Sequence, residues 1–279
     1  MGAETENCNM RVANIRNVWV VGVLTCVFSA FIVGPLLVLV PCSFNDGTML
    51  EWPRAFSVRW YKAVLQDQAW LSALSGSLLL AGSVAAVSTL IGSALSSYVM
   101  ESRPFRKNLT RLFFLSPLAI PLISLAVALY VCLIKIGLVD TFIGLVCAHC
   151  VLCVPVAFGV LSASLRRRGV PLEAAAVNLG ASRLQTWAFV TLPSVKRAVW
   201  AAFLLCFAVS FNEVVITILL TDLEFITVSK KMWDGIRFEI SPALAVASVL
   251  VSLIAISIVV VFASLIRDVL GGSESAGAV

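Results

Sequence analysis

The thirty residues Leu71–Met100, LSALSGSLLLAGSVAAVSTLIGSALSSYVM, contain no Asp, Glu, Lys or Arg. A helix needs about 20 predominantly apolar residues to cross a bilayer. This run is long enough to tilt or to continue past the membrane. Five further stretches share its character: Val18–Val40, Leu112–Ile134, Thr141–Leu161, Ala198–Thr221 and Pro242–Ile266. Of the six, only Ala198–Thr221 contains any of those four residue types, at Glu213. The alternation of barrel strands is absent, so the pattern predicts an all-α membrane protein with six transmembrane helices. Composition agrees. The 279 residues are 60% hydrophobic and 13% charged, against roughly 25% charged in a soluble domain. With a mean hydropathy of +1.02, a cytosolic enzyme, a disordered chain and a secreted disulfide scaffold are all disfavoured.

The first apolar run, about 23 residues, exceeds the usual 7–15 of a signal-peptide core, so it reads as a retained span. Six spans put both termini on one side. That side collects 13 Lys and Arg and the other 7, which places both termini in the cytoplasm. The net charge of +5 therefore requires no nucleic acid. The expected organisation is a cytoplasmic segment 1–17, a six-helix domain 18–266 containing a cytoplasmic loop 166–197, and a cytoplasmic tail 267–279. The last residues, Gly271–Val279, are small and polar and are expected to be mobile. In the outer loop Pro41–Ala69, Trp52, Trp60 and Tyr61 suit anchoring at a membrane interface, with stacking on a cationic amine as the rarer alternative. Val58–Leu65 is expected to form a short surface helix.

The loop 166–197 is patterned. Pro171 suits the first position of a helix, and Glu173 suits its positive end. Ala174, Ala175 and Ala176 continue it as strong helix formers. Gly180 can end it in the left-handed conformation. Ser182 with Gln185 forms a capping box that starts a second short helix. Two short helices with a sharp corner are expected, the first with a smooth alanine face suited to a partner's groove; the plain alternative is a connector.

Glu173-Ala174-Ala175, then Gly180, then Leu192-Pro193 match the cytoplasmic signature of ABC importer permeases, which this chain resembles. In that family the segment is the coupling helix that docks on the ATPase subunit. The resemblance covers nearly the whole chain and points to the spermidine/putrescine permeases. Phe44-Asn45 and Phe56-Ser57-Val58-Arg59-Trp60-Tyr61 are similar to their first outer loop. Gly137-Leu138-Val139-Asp140, Ala148-His149 and Pro155 are similar to them around span four, and Asn212 through Thr217 in span five. Lys231 through Arg237 with Ser241-Pro242 resembles the last outer loop. The family often has an acidic residue where this chain has Asn212. The resemblance implies a permease working with two ATP-binding subunits, a second related permease and an outer-side solute-binding protein in a cell inner membrane.

Glu213 would lie about 22 Å along span five. A charge at the bilayer centre costs about 2.5–3.5 kcal/mol on insertion scales, and such residues are usually functional. Asn212 and Glu213 are therefore the candidate pathway residues for a cationic solute. The alternative is a carboxylate paired at a helix end that holds the bundle together. Cys147, His149, Cys150 and Cys153 have metal-like spacing. One regular helix cannot converge four ligands on one ion, so no metal or other cofactor is expected. The eight cysteines lie mostly in apolar runs, where they act as small apolar groups. Ser88, Gly92 and Ser96 form a small-residue stripe for close helix packing. Pro117, Pro121 and Pro155 are expected to kink helices or mark cavities.

No Gly-x-x-x-x-Gly-Lys-[Ser/Thr] phosphate loop occurs, and no catalytic constellation assembles. The expected function is a permease subunit that is not itself an enzyme, with ATP hydrolysis in its partners and polyamine as the solute. Alternatives are the same architecture carrying a phosphonate-, sulfate- or iron-type cargo, or a stand-alone channel or secondary transporter.

Overall fold

A computed structural model describes residues 2–101, 104–168, 171–222, 225–238 and 240–271. Helices dominate: α1 (Gly2–Ser43), α2 (Arg59–Gln66), α3 (Gln68–Glu101), α4 (Pro104–Leu115), α5 (Leu122–Lys135), α6 (Phe142–Arg168), α7 (Pro171–Asn178), α8 (Arg183–Thr186), α9 (Leu192–Ser194), α10 (Lys196–Phe211), α11 (Val215–Leu220), α12 (Val228–Phe238) and α13 (Pro242–Gly271). Among the described residues the β-pairing is a single isolated bridge, Asn45 with Phe56.

Three helices are long and apolar enough to cross a membrane, through Val21–Ser43, Gln68–Met100 and Phe142–Arg166. Two more spans qualify only as bent pairs: Asn108–Ala119 with Leu122–Lys135, bent by 100°, and Arg183–Ser194 with Lys196–Phe211, bent by 81°. In α13 the qualifying apolar stretch is the shorter Pro242–Ile258. The described residues thus give three to five spans by length and composition, where the sequence pattern predicts six. For the third and fifth spans the difference lies in breaks that hydropathy does not register, whereas α13 runs unbroken over Pro242–Gly271. Pro117 lies within a 3₁₀ turn, Ser116–Ala119, and Pro121 caps the helix that follows it. Their missing N–H groups interrupt the helical ladder there. Pro155, by contrast, is carried inside the unbroken α6. Between Pro117 and Pro155 lies a mostly apolar groove of about 300 Å³, so two of the three prolines border open space.

The chain divides into two compact units. In the smaller, Met1–Val64 with Ile240–Val251, the apolar side chains described along α1, such as Phe28, Phe31 and Leu37, are exposed. The Trp60 indole N–H donates to the Gly47 carbonyl (2.9 Å), and the Tyr61 and Ser43 hydroxyls are 2.8 Å apart. These two aromatics therefore brace the loop from within, whereas Trp52 is exposed. The surface helix begins at Arg59, one residue past its expected start.

The larger unit, Leu65–Glu239 with Ser252–Val279, has its core where α3, α6 and α10 pack on one another. The small-residue stripe explains the closeness of α3 and α6. A Cβ on Gly92 would lie 2.7 Å from the Ala157 Cβ and 2.9 Å from the Phe158 nitrogen. Only glycine permits that approach. Beside it the Ser96 hydroxyl lies 3.3 Å from the Phe158 carbonyl, and the Ser162 hydroxyl donates to Ser96 Oγ (3.2 Å). The expected mobile tail lies, from residue 272 onward, outside the described residues.

Candidate functional site

Two places in the larger unit hold the predicted site residues. The first is the loop after α6. Here α7 begins at Pro171, with Glu173 in its first turn. It ends in a Schellman arrangement: Gly180 N–H donates to the Val177 carbonyl (2.9 Å) and Ala181 N–H to the Ala176 carbonyl (3.1 Å). Gly180 has φ +89°, as its sequence position predicts. The next helix then starts on the predicted capping box, in which Ser182 Oγ accepts from Gln185 N–H and Gln185 Oε1 accepts from Ser182 N–H.

Beyond α8 the chain widens into a π-helical stretch, Trp187–Thr191, before α9. Pro193 lacks an N–H and crowds the preceding turn, and a wider turn relieves that crowding. The stretch places Thr191 against α7, where its hydroxyl donates to Glu173 Oε1 (2.8 Å). Glu173 is thus tied, across 18 residues of sequence, to the turn that leads through Leu192 and Pro193 into α10. Ala174 and Ala175 are exposed. Leu179 is 88% exposed and Leu184 72% exposed, so the corner presents apolar side chains outward.

A Cβ added to Gly180 would meet nothing within 4 Å, so the requirement for glycine is the backbone conformation alone. A β-branched side chain at positive φ is strained, by about 1–3 kcal/mol for a sparsely populated backbone region. Gly180→Val is expected to cost the corner most of its protection, raising amide hydrogen exchange across residues 177–185 about tenfold in the detergent-solubilised protein. Gly180→Asn, which tolerates the left-handed region, is expected to retain most of it.

The second place is the interruption of the fifth span. Continuous helix ends at Phe211, and Asn212 caps it, its side-chain amide donating to the Ala208 carbonyl (2.9 Å). Asn212 is exposed and Glu213 is buried. The Glu213 carboxylate turns onto the start of α11, accepting from Ile216 N–H (2.9 and 3.0 Å) and Thr217 N–H (3.2 Å). These are donors that a helix start leaves without intrahelical partners, and a carboxylate there is favoured by the helix dipole. His149 Nε2 of α6 lies 3.5 Å from Glu213 Oε2.

The far end of α11 is held by opposite charge. Lys230 of α12 donates through Nζ to the carbonyls of Thr221 and Asp222, the latter at 2.8 Å. Asp140, with φ +57°, donates its N–H to the Leu220 carbonyl (2.8 Å) and accepts from Asp222 N–H through Oδ1 (2.9 Å). A six-residue helix is therefore bracketed by a carboxylate at its start and an ammonium at its end. Sequence reasoning gave no role to Thr191 or Lys230, and quoted Asp140 only within a resemblance, because each acts through another segment. The cysteine-rich stretch of α6 is used in packing: Cys153 and Cys206 exchange thiol contacts with each other's carbonyls at 3.6 and 3.3 Å.

Residues 88–271 match the family described as binding-protein-dependent transport system inner membrane component. The spermidine/putrescine transport system permease protein PotC of Escherichia coli (strain K12) is 29% identical over 249 residues, covering 87% of this chain and 91% of that protein. The putrescine transport system permease protein PotI of the same strain is 25% identical over 248 residues, covering 85% and 86%. Among solved structures, a bacterial alginate ABC transporter in complex with alginate pentasaccharide-bound periplasmic protein aligns with a TM-score of 0.69 at 16% identity, over 92% of this chain and 96% of that one.

Proposed function

This chain belongs to the binding-protein-dependent transport system inner membrane components, and from that premise we propose that it is the permease subunit of an ATP-driven importer of polyamines. The carrying observation is the pair of relatives named for putrescine and spermidine/putrescine transport, each matched over more than four-fifths of both chains. In this reading six spans run through 18–266, with the segments 1–17 and 267–279 and the loop 166–197 in the cytoplasm. The excess of Lys and Arg on that side supports the orientation. A second related permease, two ATP-binding subunits and an outer-side binding protein complete the assembly.

The segment Glu173–Gly180, with Ala174 and Ala175 on its exposed surface, is the dock for an ATP-binding subunit. Leu192 and Pro193 carry its movement into the fifth span. The Thr191–Glu173 hydrogen bond supports this role, since it ties α7 to the turn that leads into α10. Asn212 and Glu213 line the solute path. Asn212 meets the solute directly, and the Glu213 carboxylate acts from the layer behind, where low dielectric extends its reach.

The reading is tested by reconstituting the complete complex in vesicles with ATP inside and measuring uptake of labelled putrescine and spermidine. Saturable uptake that requires ATP and is competed by either diamine or triamine is expected. Full-rate uptake of a neutral or anionic solute overturns the polyamine assignment, and flux without the ATP-binding subunits overturns the coupling assignment.

A further inference from the structure

We propose that His149 is a positioning residue for transport: its imidazole staples the two halves of the interrupted fifth span and sets how α11 leaves α10. The ring is 1% exposed. Its Nδ1 lies 2.9 Å from Ser210 Oγ, in the last turn of α10. Its Nε2 lies 3.3 Å from Thr217 Oγ1 and 3.5 Å from Glu213 Oε2, both at the start of α11. One side chain of α6 therefore touches both sides of the break. A proton on Nε2 satisfies the whole set: Nε2–H faces the carboxylate and Nδ1 accepts from the Ser210 hydroxyl.

The two sides of that staple differ in how else they are held. Four residues further along α6, and four residues back along α10, Cys153 and Cys206 make a second reciprocal contact. The spacing of 149 with 210 and 153 with 206 is the register of two antiparallel helices one turn apart. So α10 is fixed to α6 at two successive levels. The connection from α6 to α11 is different: among the described residues its hydrogen-bonding groups are the imidazole, Thr217 and Glu213. Within Asn212–Val214 the helical hydrogen-bond ladder is interrupted, so the backbone does not fix the angle between the halves. The ring fixes the start of α11, through the same carboxylate that caps it, while Asp140 and Lys230 hold its far end. Glu213 and His149 are then one device, and removing either releases the start of α11.

This inference rests on the chain's being a transport-system membrane component and is independent of which solute it carries. The test uses the complete complex in lipid nanodiscs, without solute, and follows amide hydrogen exchange in the segment 214–221. His149→Leu, similar in size and unable to hydrogen-bond, is expected to raise exchange there at least tenfold, with the segments around Gly92 and Cys153 unchanged. His149→Gln, whose amide can donate toward Glu213, is expected to restore most of the protection. In vesicles His149→Leu should lower the maximal uptake rate about tenfold at an unchanged half-saturating concentration of loaded binding protein. Adding Ser210→Ala, which removes the Nδ1 partner alone, should produce little further loss. Unchanged exchange in 214–221, exchange raised equally throughout the helices, or multiplicative losses in the double variant would each overturn the proposal. Should His149→Leu fail to assemble, Ser210→Ala removes only the Nδ1 partner. A local rise in 214–221 then supports the staple, and none overturns it.

Discussion

Glu173→Arg is expected to abolish ATP-driven uptake while leaving the chain in the membrane at normal levels. Three effects act together. The substitution removes the acceptor for the Thr191 hydroxyl, which is buried and would keep a polar group without its partner, a loss of about 1–3 kcal/mol. It places a cation in the first turn of α7, where the helix dipole favours an anion by about 0.3–1 kcal/mol. It also inserts a long charged side chain beside the proposed dock. The measurement pairs uptake in vesicles with ATPase activity of the same complex. Loss of uptake with ATP hydrolysis unresponsive to loaded binding protein is the expected result. Normal uptake would show that Glu173 has no part in coupling. Glu173→Gln separates the effects, because its amide oxygen can still accept from Thr191; it should retain a substantial fraction of the activity.

Glu213→Gln is expected to slow uptake of a cationic solute at least several-fold without changing the solute's affinity for its binding protein. The amide is nearly the same size and its oxygen can still accept from the N–H groups of Ile216 and Thr217, so the cap on α11 is largely kept while the charge is lost. A polyamine carries two or more positive charges, and an uncompensated ion in a low-dielectric medium is penalised by several kcal/mol. On the proposed path a carboxylate one layer behind Asn212 would lower that barrier. Because hydrogen bonds already engage it, it would attract the solute without holding it tightly, which suits transit. Uptake and binding-protein titration are measured side by side, with membrane levels matched by blotting. Unchanged uptake at equal levels would make Glu213 a cap and nothing more.

Much of this was legible because it is local. Apolar runs of 20 or more residues gave helices wherever no competing polar contact intervened, as in α3 and α6. The corner at Gly180 and Ser182 was legible for the same reason: a Schellman ending and a capping box each complete themselves within six residues. The third-span break was announced by Pro117 and Pro121. The fifth-span break was not, because Asn212-Glu213-Val214 contains neither Pro nor Gly and lies in an otherwise apolar run. Asn212 and Glu213 cap the break locally, but its other partners come from elsewhere: His149 sits 64 residues before Glu213, and the Ser229 hydroxyl donates to the Phe211 carbonyl (2.9 Å). The partnership of Glu173 with Thr191 was likewise invisible, since it depends on the π-helical widening ahead of Pro193.

The bracketing of α11 has a consequence for how the protein is made. Six residues of helix extend only about 9 Å, too short to cross the roughly 30 Å of hydrocarbon unaided. Its carboxylate clasp is available early, since His149 and Asp140 leave the ribosome before it. Lys230 emerges nine residues after Thr221, so the carbonyls at the end of α11 await their ammonium until α12 has been synthesised. Chains grow from the N-terminus at about 5–20 residues per second. A stop just after Asp222 would therefore leave the fifth span half-anchored, with the Thr221 and Asp222 carbonyls lacking their ammonium partner. Truncation products ending there should be handed to quality-control proteases, whereas those extending past Lys230 should persist.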